Sequence, residues 1–241
     1  MKILTIPDIH LKPWIFDLAE ALLENKEADM AVCLMDIADD WKQQLNLDLY
    51  ELTYDRAIRF AKEHPETLWC YGNHDLSYEW DELETGYSYA ASHLVRKKMQ
   101  ELRKALVDYR RLAYIHRIDN VLLSHGGLAY KFVRNSIPSR LHDDIDYVID
   151  TINSFGRMQM WQDLSPIWYR PQYYQGKMFQ SQKYLQVVGH TPVEEISRDK
   201  NVISCDVFST TSKGKPIGKR QFLILDTDTW EYTTTPEYVN E

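Results

Sequence analysis

The sequence contains little of what marks disulfide-rich or membrane-spanning proteins. It has three cysteines in 241 residues. Cys33, Cys70 and Cys205 each lie in or beside an apolar run, so we expect small buried side chains in a reducing interior rather than a disulfide framework. No apolar run approaches the ~20 residues that a membrane-spanning helix needs, and no signal peptide is recognisable. We therefore expect a soluble cytoplasmic protein that does not bind a membrane.

The chain also lacks an excess of positive charge. It has 28 Lys and Arg against 36 Asp and Glu, which gives a formal net charge of -8. This balance argues against general nucleic-acid binding through a basic surface. A phosphorylated substrate is still possible, because bound cations can reverse the field inside a cleft. The length and the hydrophobic content of 44% predict a single domain over residues 1–241 and leave the oligomeric state open.

Short apolar runs that end in Asp, Asn or His recur along the chain. Runs of this length bounded by Gly, Pro, Asn or Asp are typical of buried strands. The five runs are KILTIPDIH (2–10), MAVCLMDIADD (30–40), TLWCYGNHD (67–75), NVLLSHGG (120–127) and YLQVVGHTP (184–192). By the same criterion NVISCDVF (201–208) predicts a sixth strand, and residues 219–236 predict a closing hairpin.

Helical patterns separate the first three runs. Apolar residues recur at helical spacing in 14–28 and 47–64, and further helices are expected over 88–112 and about 142–161. The alternation of strands and helices predicts a largely parallel sheet in the first third of the chain. Ligands of such α/β sheets bind outside the carboxyl ends of the strands, so the polar residues after each strand should converge.

Each polar group is ambiguous when it is considered alone. Asp8 and His10 would point the same way if the strand geometry continued, but a cap or a buried hydrogen-bonded pair explains them as well as a metal site does. Residues 72–75, Gly-Asn-His-Asp, are equally typical of a turn. Five strand ends in a row that each deliver Asp, Asn or His are harder to explain by turn chemistry.

As a set, these residues resemble the motifs of the calcineurin-like metallophosphoesterase superfamily. The final Gly-His-Thr-Pro makes the chain most similar to the phosphoprotein-phosphatase branch, which includes bacterial and phage Ser/Thr phosphatases and dinucleoside-tetraphosphate hydrolases. The resemblance implies an α/β fold, a β-sandwich of two mixed sheets flanked by helices in four αββα layers. In chain order the matching segments are Asp8-Ile9-His10, Asp36-Ile37-Ala38-Asp39, Gly72-Asn73-His74-Asp75, His125-Gly126-Gly127 and Gly189-His190-Thr191-Pro192.

The resemblance also implies a site for two divalent metal ions. Asp8 and His10 would hold the first ion, and Asp36 would bridge both ions. Oxygen and imidazole donors without a thiolate suit Mn²⁺, with Fe or Zn²⁺ as alternatives. Two such ions ~3.5–4 Å apart would share a hydroxide of lowered pKa that attacks phosphorus. The remaining ligands, all for the second ion, would be Asn73, His125 and His190.

Catalytic and phosphate-binding roles follow from the same resemblance. His74 resembles the family's general acid, which protonates the leaving oxygen, and Asp39 matches the carboxylate that orients it. Asn73 and Arg170 would contact the substrate phosphate. Arg170 lies in SPIWYRP (165–171), where an exposed arginine in a loop is an equally good interpretation.

The chain departs from the branch in two elements, the second motif and residues 204–208. Relatives usually carry Gly-Asp-x-x-Asp-Arg-Gly at the second motif, whereas this chain has Met35 in place of the first glycine and Asp40 in place of the arginine. A carboxylate beside a phosphate weakens binding, so another arginine must compensate or the substrate must lie differently. Pro192 stands where other branches have a second histidine. Residues 204–208, Ser-Cys-Asp-Val-Phe, stand where relatives often have Asp-x-Gly, and the resemblance gives Asp206 at most an indirect role.

These features predict a phosphomonoesterase similar to Ser/Thr protein phosphatases, acting on a phosphorylated protein. A nucleotide phosphodiesterase or dinucleoside-polyphosphate hydrolase is the alternative, because a diester needs less positive charge and the aromatic loops 76–89 and 168–176 could stack on a base. A third possibility is an inactive binding scaffold with the same fold. The presence of every metal ligand and of His74 argues against it.

Overall fold

The computed structural model describes residues 1–174 and 176–239. The helices are α1 (Trp14–Glu24), α2 (Leu47–Glu63), α3 (Asn73–Trp80), α4 (Ser92–Ala105), α5 (Tyr130–Ser136), α6 (Ile145–Asn153) and α7 (Arg157–Met160). The strands are β1 (Lys2–Ile6), β2 (Met30–Cys33), β3 (Leu68–Cys70), β4 (Leu112–Ala113), β5 (Ile115–Ile118), β6 (Val121–Ser124), β7 (Leu185–Val188), β8 (Ser197–Asp199), β9 (Val202–Ser204), β10 (Leu223–Asp226) and β11 (Tyr232–Thr234). No helix of the described ranges is both long and apolar enough to cross a membrane.

The strands form two mixed sheets. The first sheet has the order β11-β10-β1-β2-β3-β4, in which β1 to β4 are parallel and β10 is antiparallel to β1. The second sheet has the order β5-β6-β7-β9-β8, in which β6, β7 and β9 are parallel. Helices flank both sheets, which confirms the predicted α/β sandwich.

The side chains of β6 show how the layers are packed. Val121 and Leu123 are buried in one cluster with residues of the first sheet, such as Ile3, so they lie between the two sheets. Leu122 points the other way and is buried in a second cluster with Val148 of α6. Strands covered on both faces are apolar along their length, which explains why the predicted strands were continuous apolar runs.

Two predicted helices are shorter than expected. The predicted helix 88–112 begins at Ser92 and ends at Ala105, because Leu112 pairs with Trp69 as strand β4. The predicted helix 142–161 is interrupted after Asn153, whose side-chain oxygen accepts hydrogen bonds from the backbone N–H groups of Tyr114 and Ile115. In both places a tertiary contact outweighs local helix propensity. That residues 1–241 form one domain stays a prediction.

Candidate metal centre

The predicted ligands lie at the carboxyl ends of strands from both sheets. In the first sheet Asp8 follows β1, Asp36 follows β2 and Asn73 follows β3, while in the second sheet His125 follows β6 and His190 follows β7. The loops after β1 and β2 are joined by backbone hydrogen bonds, including one of 2.7 Å from the N–H of His10 to the carbonyl of Asp36. All six predicted ligands are buried except His10, which is half-buried.

Potential metal-binding atoms form two groups that share one residue. Asp36, His125 and His190 offer ligand atoms within 4.8 Å of one another, and so do Asp8, His10 and Asp36. The Oδ2 atom of Asp36 lies 3.1 Å from Nε2 of His125 and 4.0 Å from Nε2 of His10. Asp36 therefore lies between the two groups, which is the position that a carboxylate bridging two ions requires.

The donor set fits divalent metal ions. Oδ2 of Asp8 and Nε2 of His190 are buried and have no hydrogen-bond partner among the described residues. A buried polar atom without a partner is costly, and a bound cation would supply the missing interaction. The donors are carboxylate and amide oxygens and imidazole nitrogens, the set that Mn²⁺, Fe and Zn²⁺ accept.

Backbone groups orient these ligands. Nδ1 of His125 lies 2.8 Å from the carbonyl oxygen of Leu34, a partner that leaves its Nε2 for another contact. The N–H of His190 donates to Oδ1 of Asp8 at 2.8 Å, and the N–H of His74 donates to Oδ1 of Asp36 at 2.9 Å. Each aspartate thus has one oxygen held by the backbone, and the second oxygen of Asp36 faces Nε2 of His125.

Two glycines are required by close approach to these carboxylates. A Cβ atom at Gly72 would lie 2.0 Å from Oδ1 of Asp36, and one at Gly189 would lie 2.1 Å from Oδ2 of Asp8. Met35, which replaces the usual glycine of the second motif, has a φ of 59°. A left-handed backbone costs a non-glycine residue roughly 1–2 kcal/mol, which gives a physical reason for the glycine found in relatives.

The predicted general acid is paired with its predicted partner. Nδ1 of His74 lies 3.0 Å from Oδ2 of Asp39, and the other oxygen of Asp39 accepts hydrogen bonds from Tyr50 and Tyr78. Burial alone would lower the pKa of His74, but the charges of Asp36 and Asp39 outweigh burial and raise it to about 9. His74 can therefore carry a proton at neutral pH.

The ionisable groups of the site influence one another strongly. The pKa of Asp8 is raised, first by burial and then by the negative charge of Asp206. Burial would also raise the pKa of Asp36, but the imidazoles of His125 and His74 outweigh burial and hold that pKa well below its usual range. Burial likewise raises the pKa of Asp206.

Arg170 lies beside the metal-binding group and is half-buried. Its Nη1 atom donates hydrogen bonds to the carbonyl oxygen of His190 at 2.7 Å and to Oγ1 of Thr191 at 3.2 Å. Both contacts fix the guanidinium at the loop after β7. The structure thus places this arginine next to His190, whereas the sequence left an unattached loop arginine as an equal interpretation.

The charge of Asp40 is compensated by a residue that the sequence reasoning missed. Nζ of Lys12 donates to Oδ2 of Asp40 at 2.9 Å, while Oδ1 accepts hydrogen bonds from Thr210 and from the N–H of Trp41. Burial would raise the pKa of Asp40, but Lys12 outweighs it and lowers that pKa. The expected repulsion of phosphate by Asp40 is therefore weakened. The only sequence signal for a role of Lys12 was its position two residues after His10.

Asp75 is a second residue whose place the sequence did not reveal. It is buried, and its carboxylate accepts hydrogen bonds from the N–H groups of Ile37 and Ala38 and from the hydroxyl of Tyr54. These bonds hold the loop that carries Asp36 and Asp39. Its only sequence signal was its position directly after His74.

A cavity of about 330 Å³ opens over the site. Its lining includes the predicted catalytic and phosphate-binding side chains together with two indoles, of which Trp41 is 44% exposed. The lining residues relevant to chemistry are His10, Asp36, Asp39, Asn73, His74, Trp168, Arg170, His190 and Asp206. Four of the six predicted ligands therefore line one cavity together with the predicted acid and arginine, whereas Asp8 and His125 lie buried behind it.

Residues 1–213 match the family model described as calcineurin-like phosphoesterase. The chain belongs to this family. It is accordingly a metal-dependent hydrolase of phosphoric esters, as the sequence predicted. No curated protein matches the chain.

Solved structures with the same fold include two phosphatases. The cold-active protein-tyrosine phosphatase of the psychrophile Shewanella sp. shares 17% identity at a TM-score of 0.58, with 98% of this phosphoesterase and 80% of that chain covered. A protein serine/threonine phosphatase from Saccharomyces cerevisiae shares 13% identity at a TM-score of 0.51, with 100% and 81% covered. At these identities the likeness establishes the fold and leaves the substrate open.

Proposed function

We propose that this phosphoesterase uses two divalent metal ions, Mn²⁺ first among them, to hydrolyse a phosphomonoester. The observation that carries the proposal is the position of Asp36, which belongs to both groups of potential ligands. Asp8 and His10 would complete the first site. When bound, such ions supply a water molecule of lowered pKa and positive charge for the phosphate oxygens. The second site would be completed by Asn73, His125 and His190.

The protein's own residues would protonate the leaving group and hold the phosphate. His74 would donate a proton to the leaving oxygen, because it lines the cavity and its pKa favours the protonated form at neutral pH. Asp39, fixed by two tyrosine hydroxyls, would orient that imidazole. Asn73 and Arg170 would donate hydrogen bonds to phosphate oxygens.

A phosphorylated serine or threonine of a protein is the substrate class that we propose first. The cavity carries the guanidinium of Arg170, and the acid at position 40 is already paired with Lys12, so Asp40 should repel a monoester dianion less than a free carboxylate would. The three cysteines are free and buried, which suits the proposed cytoplasmic location.

A nucleotide phosphodiesterase or dinucleoside-polyphosphate hydrolase is the second candidate. The observation in its favour is the pair of indoles in the cavity lining, Trp41 and Trp168, since aromatic rings stack on bases. The indole N–H of Trp41 donates to the carbonyl of Thr210 at 2.9 Å, so this ring is held in place at the rim.

Metal removal and a substrate panel test the proposal. Protein stripped with EDTA should be inactive and should regain activity with Mn²⁺, because the attacking water depends on the ions. With Mn²⁺ fixed, phosphopeptides, nucleoside monophosphates, cyclic nucleotides and dinucleoside polyphosphates are compared by kcat/KM. Preference for phosphopeptides supports the first candidate, and preference for dinucleoside polyphosphates or cyclic nucleotides supports the second. A protein that hydrolyses neither p-nitrophenyl phosphate nor its bis ester would contradict an active two-metal site.

Replacing Arg170 with alanine should raise KM for a phosphomonoester more than for a diester. The guanidinium offers charge-assisted hydrogen bonds, and the loss of one to a dianion corresponds to about 10- to 100-fold in kcat/KM. Steady-state kinetics on p-nitrophenyl phosphate and its bis ester measure the difference. Arg134→Ala, which removes an exposed arginine of α5, is the matched control. Equal kinetics of Arg170→Ala and the control would remove Arg170 from phosphate binding.

A further inference from the structure

We propose that Asp206 is an additional ligand of the first metal ion, on the side of Asp8 and His10. This inference rests on the two-metal site proposed above. It assigns to Asp206 a direct contact that the sequence resemblance does not imply.

Asp206 occupies the same topological position as the predicted ligands. It follows β9, which is parallel to β7, so it lies at the carboxyl end of a strand adjacent to the one that His190 follows. Backbone hydrogen bonds of 2.9 Å join the two ends, from Cys205 to Val188 and from Val193 to the carbonyl of Asp206. Asp206 is thus carried to the site by regular sheet pairing.

The carboxylate of Asp206 has one oxygen available for a cation. The side chain is 1% exposed and lines the cavity together with His10 and Asp36. Its Oδ2 accepts a hydrogen bond of 3.0 Å from Ser209, but Oδ1 has no partner among the described residues. Asp8 shows the same pattern, with one oxygen bonded and the other buried without a partner. A buried carboxylate oxygen without a partner is costly, and a bound cation would supply the missing interaction.

The number of proposed ligands favours assigning Asp206 to the first ion, because that ion has fewer of them. Three side chains are proposed for the first ion and four for the second, with Asp36 counted in both. Pro192 leaves the first ion without the second histidine that other branches of the family supply, and Asp206 could replace that donor with an oxygen. Carboxylate is a suitable ligand for the proposed Mn²⁺.

Metal titration of an Asp206→Asn variant tests this role. EDTA-stripped protein is titrated calorimetrically with Mn²⁺. The wild type should bind two ions, whereas Asp206→Asn should bind one ion normally and the other on the order of 10-fold more weakly or worse, since even changes to residues behind a ligand cost 10–100-fold. Co²⁺ is the second probe, because its visible absorption reports a change in coordination.

Asp40→Asn is the matched control. Asp40 lines the same cavity and loses the same charge in this variant, but both of its oxygens already have protein partners. Ser209→Ala removes the hydrogen bond to Oδ2 of Asp206 and leaves Oδ1 of Asp206 in place, so it measures the effect of that hydrogen bond separately. Thermal unfolding in EDTA checks folding, and Asp206→Ala serves as a second variant if the amide disturbs the loop.

The outcomes distinguish this inference from the function on which it rests. The inference is supported if Mn²⁺ binds more weakly and the Co²⁺ spectrum changes in the Asp206 variants but not in Asp40→Asn. The inference is overturned if the Asp206 variants keep the wild-type affinity and spectrum. It is also overturned if Asp40→Asn loses as much Mn²⁺ affinity, because that would show a general effect of charge. A wild-type protein that binds fewer than two ions would overturn the two-metal proposal itself.

Discussion

Replacing Asp36 with asparagine is expected to abolish hydrolysis and to reduce the number of bound metal ions together. The amide is neutral, so it cannot bridge two cations as the carboxylate would, and His125 loses the negative partner that lies 3.1 Å from its Nε2. Hydrolysis of bis(p-nitrophenyl) phosphate and metal content after dialysis measure the two effects on the same sample.

An exposed acid provides the control for this substitution. Asp199→Asn in β8 removes the same charge from a surface position and should leave both activity and metal content unchanged. Unfolding of the metal-free proteins must show that Asp36→Asn is folded, since its carboxylate also accepts the N–H of His74. Near-normal turnover by folded Asp36→Asn would refute the bridging role.

Replacing His74 with alanine is expected to slow hydrolysis of alkyl phosphates far more than that of aryl phosphates. A general acid contributes typically ~10²–10⁴-fold when the leaving oxygen is strongly basic, and it contributes little when the leaving group is p-nitrophenolate. The ratio of kcat/KM for the two substrate types measures the role. Equal losses on both types would show that His74 does not act as the acid.

Asp39→Asn gives a second measurement of the same acid, through the pH profile. The acid acts in its protonated form, so kcat/KM should fall as the pH rises through the pKa of His74, which the adjacent Asp39 carboxylate raises against the opposing effect of burial. Losing the charge of Asp39 lowers that pKa, so the descending limb should move to lower pH. An unmoved limb would mean that another group controls it.

Much of the fold could be predicted because the informative segments are regular. The first strand is buried on both faces, so Ile3, Leu4 and Ile6 form a continuous apolar run that is visible without a structure. The polar residues after the strands converge because parallel strands end on the same side of a sheet. The convergence of these residues was therefore predicted from local patterns and one general rule of topology, whereas their roles as metal ligands came from the family resemblance.

What could not be predicted depends on contacts between distant segments. The segment after α4 becomes strand β4 because Leu112 pairs with β3, which no local periodicity indicates. The motif 72–75 was compatible with a turn, but Gly72 is extended and Asn73 begins helix α3. Likewise, the pairing of Lys12 with Asp40 spans 28 positions, so the sequence showed an uncompensated carboxylate where the structure shows an ion pair.

The proposed ligands of the second ion come from both sheets, since Asp36 and Asn73 follow strands of the first sheet while His125 and His190 follow strands of the second. Ion binding at that position would therefore be linked thermodynamically to the docking of one sheet on the other. A ligand present at 100 times its dissociation constant adds about 2.7 kcal/mol to the free energy of unfolding. The resistance of this enzyme to heat and to proteases would then depend on the supply of metal in its surroundings.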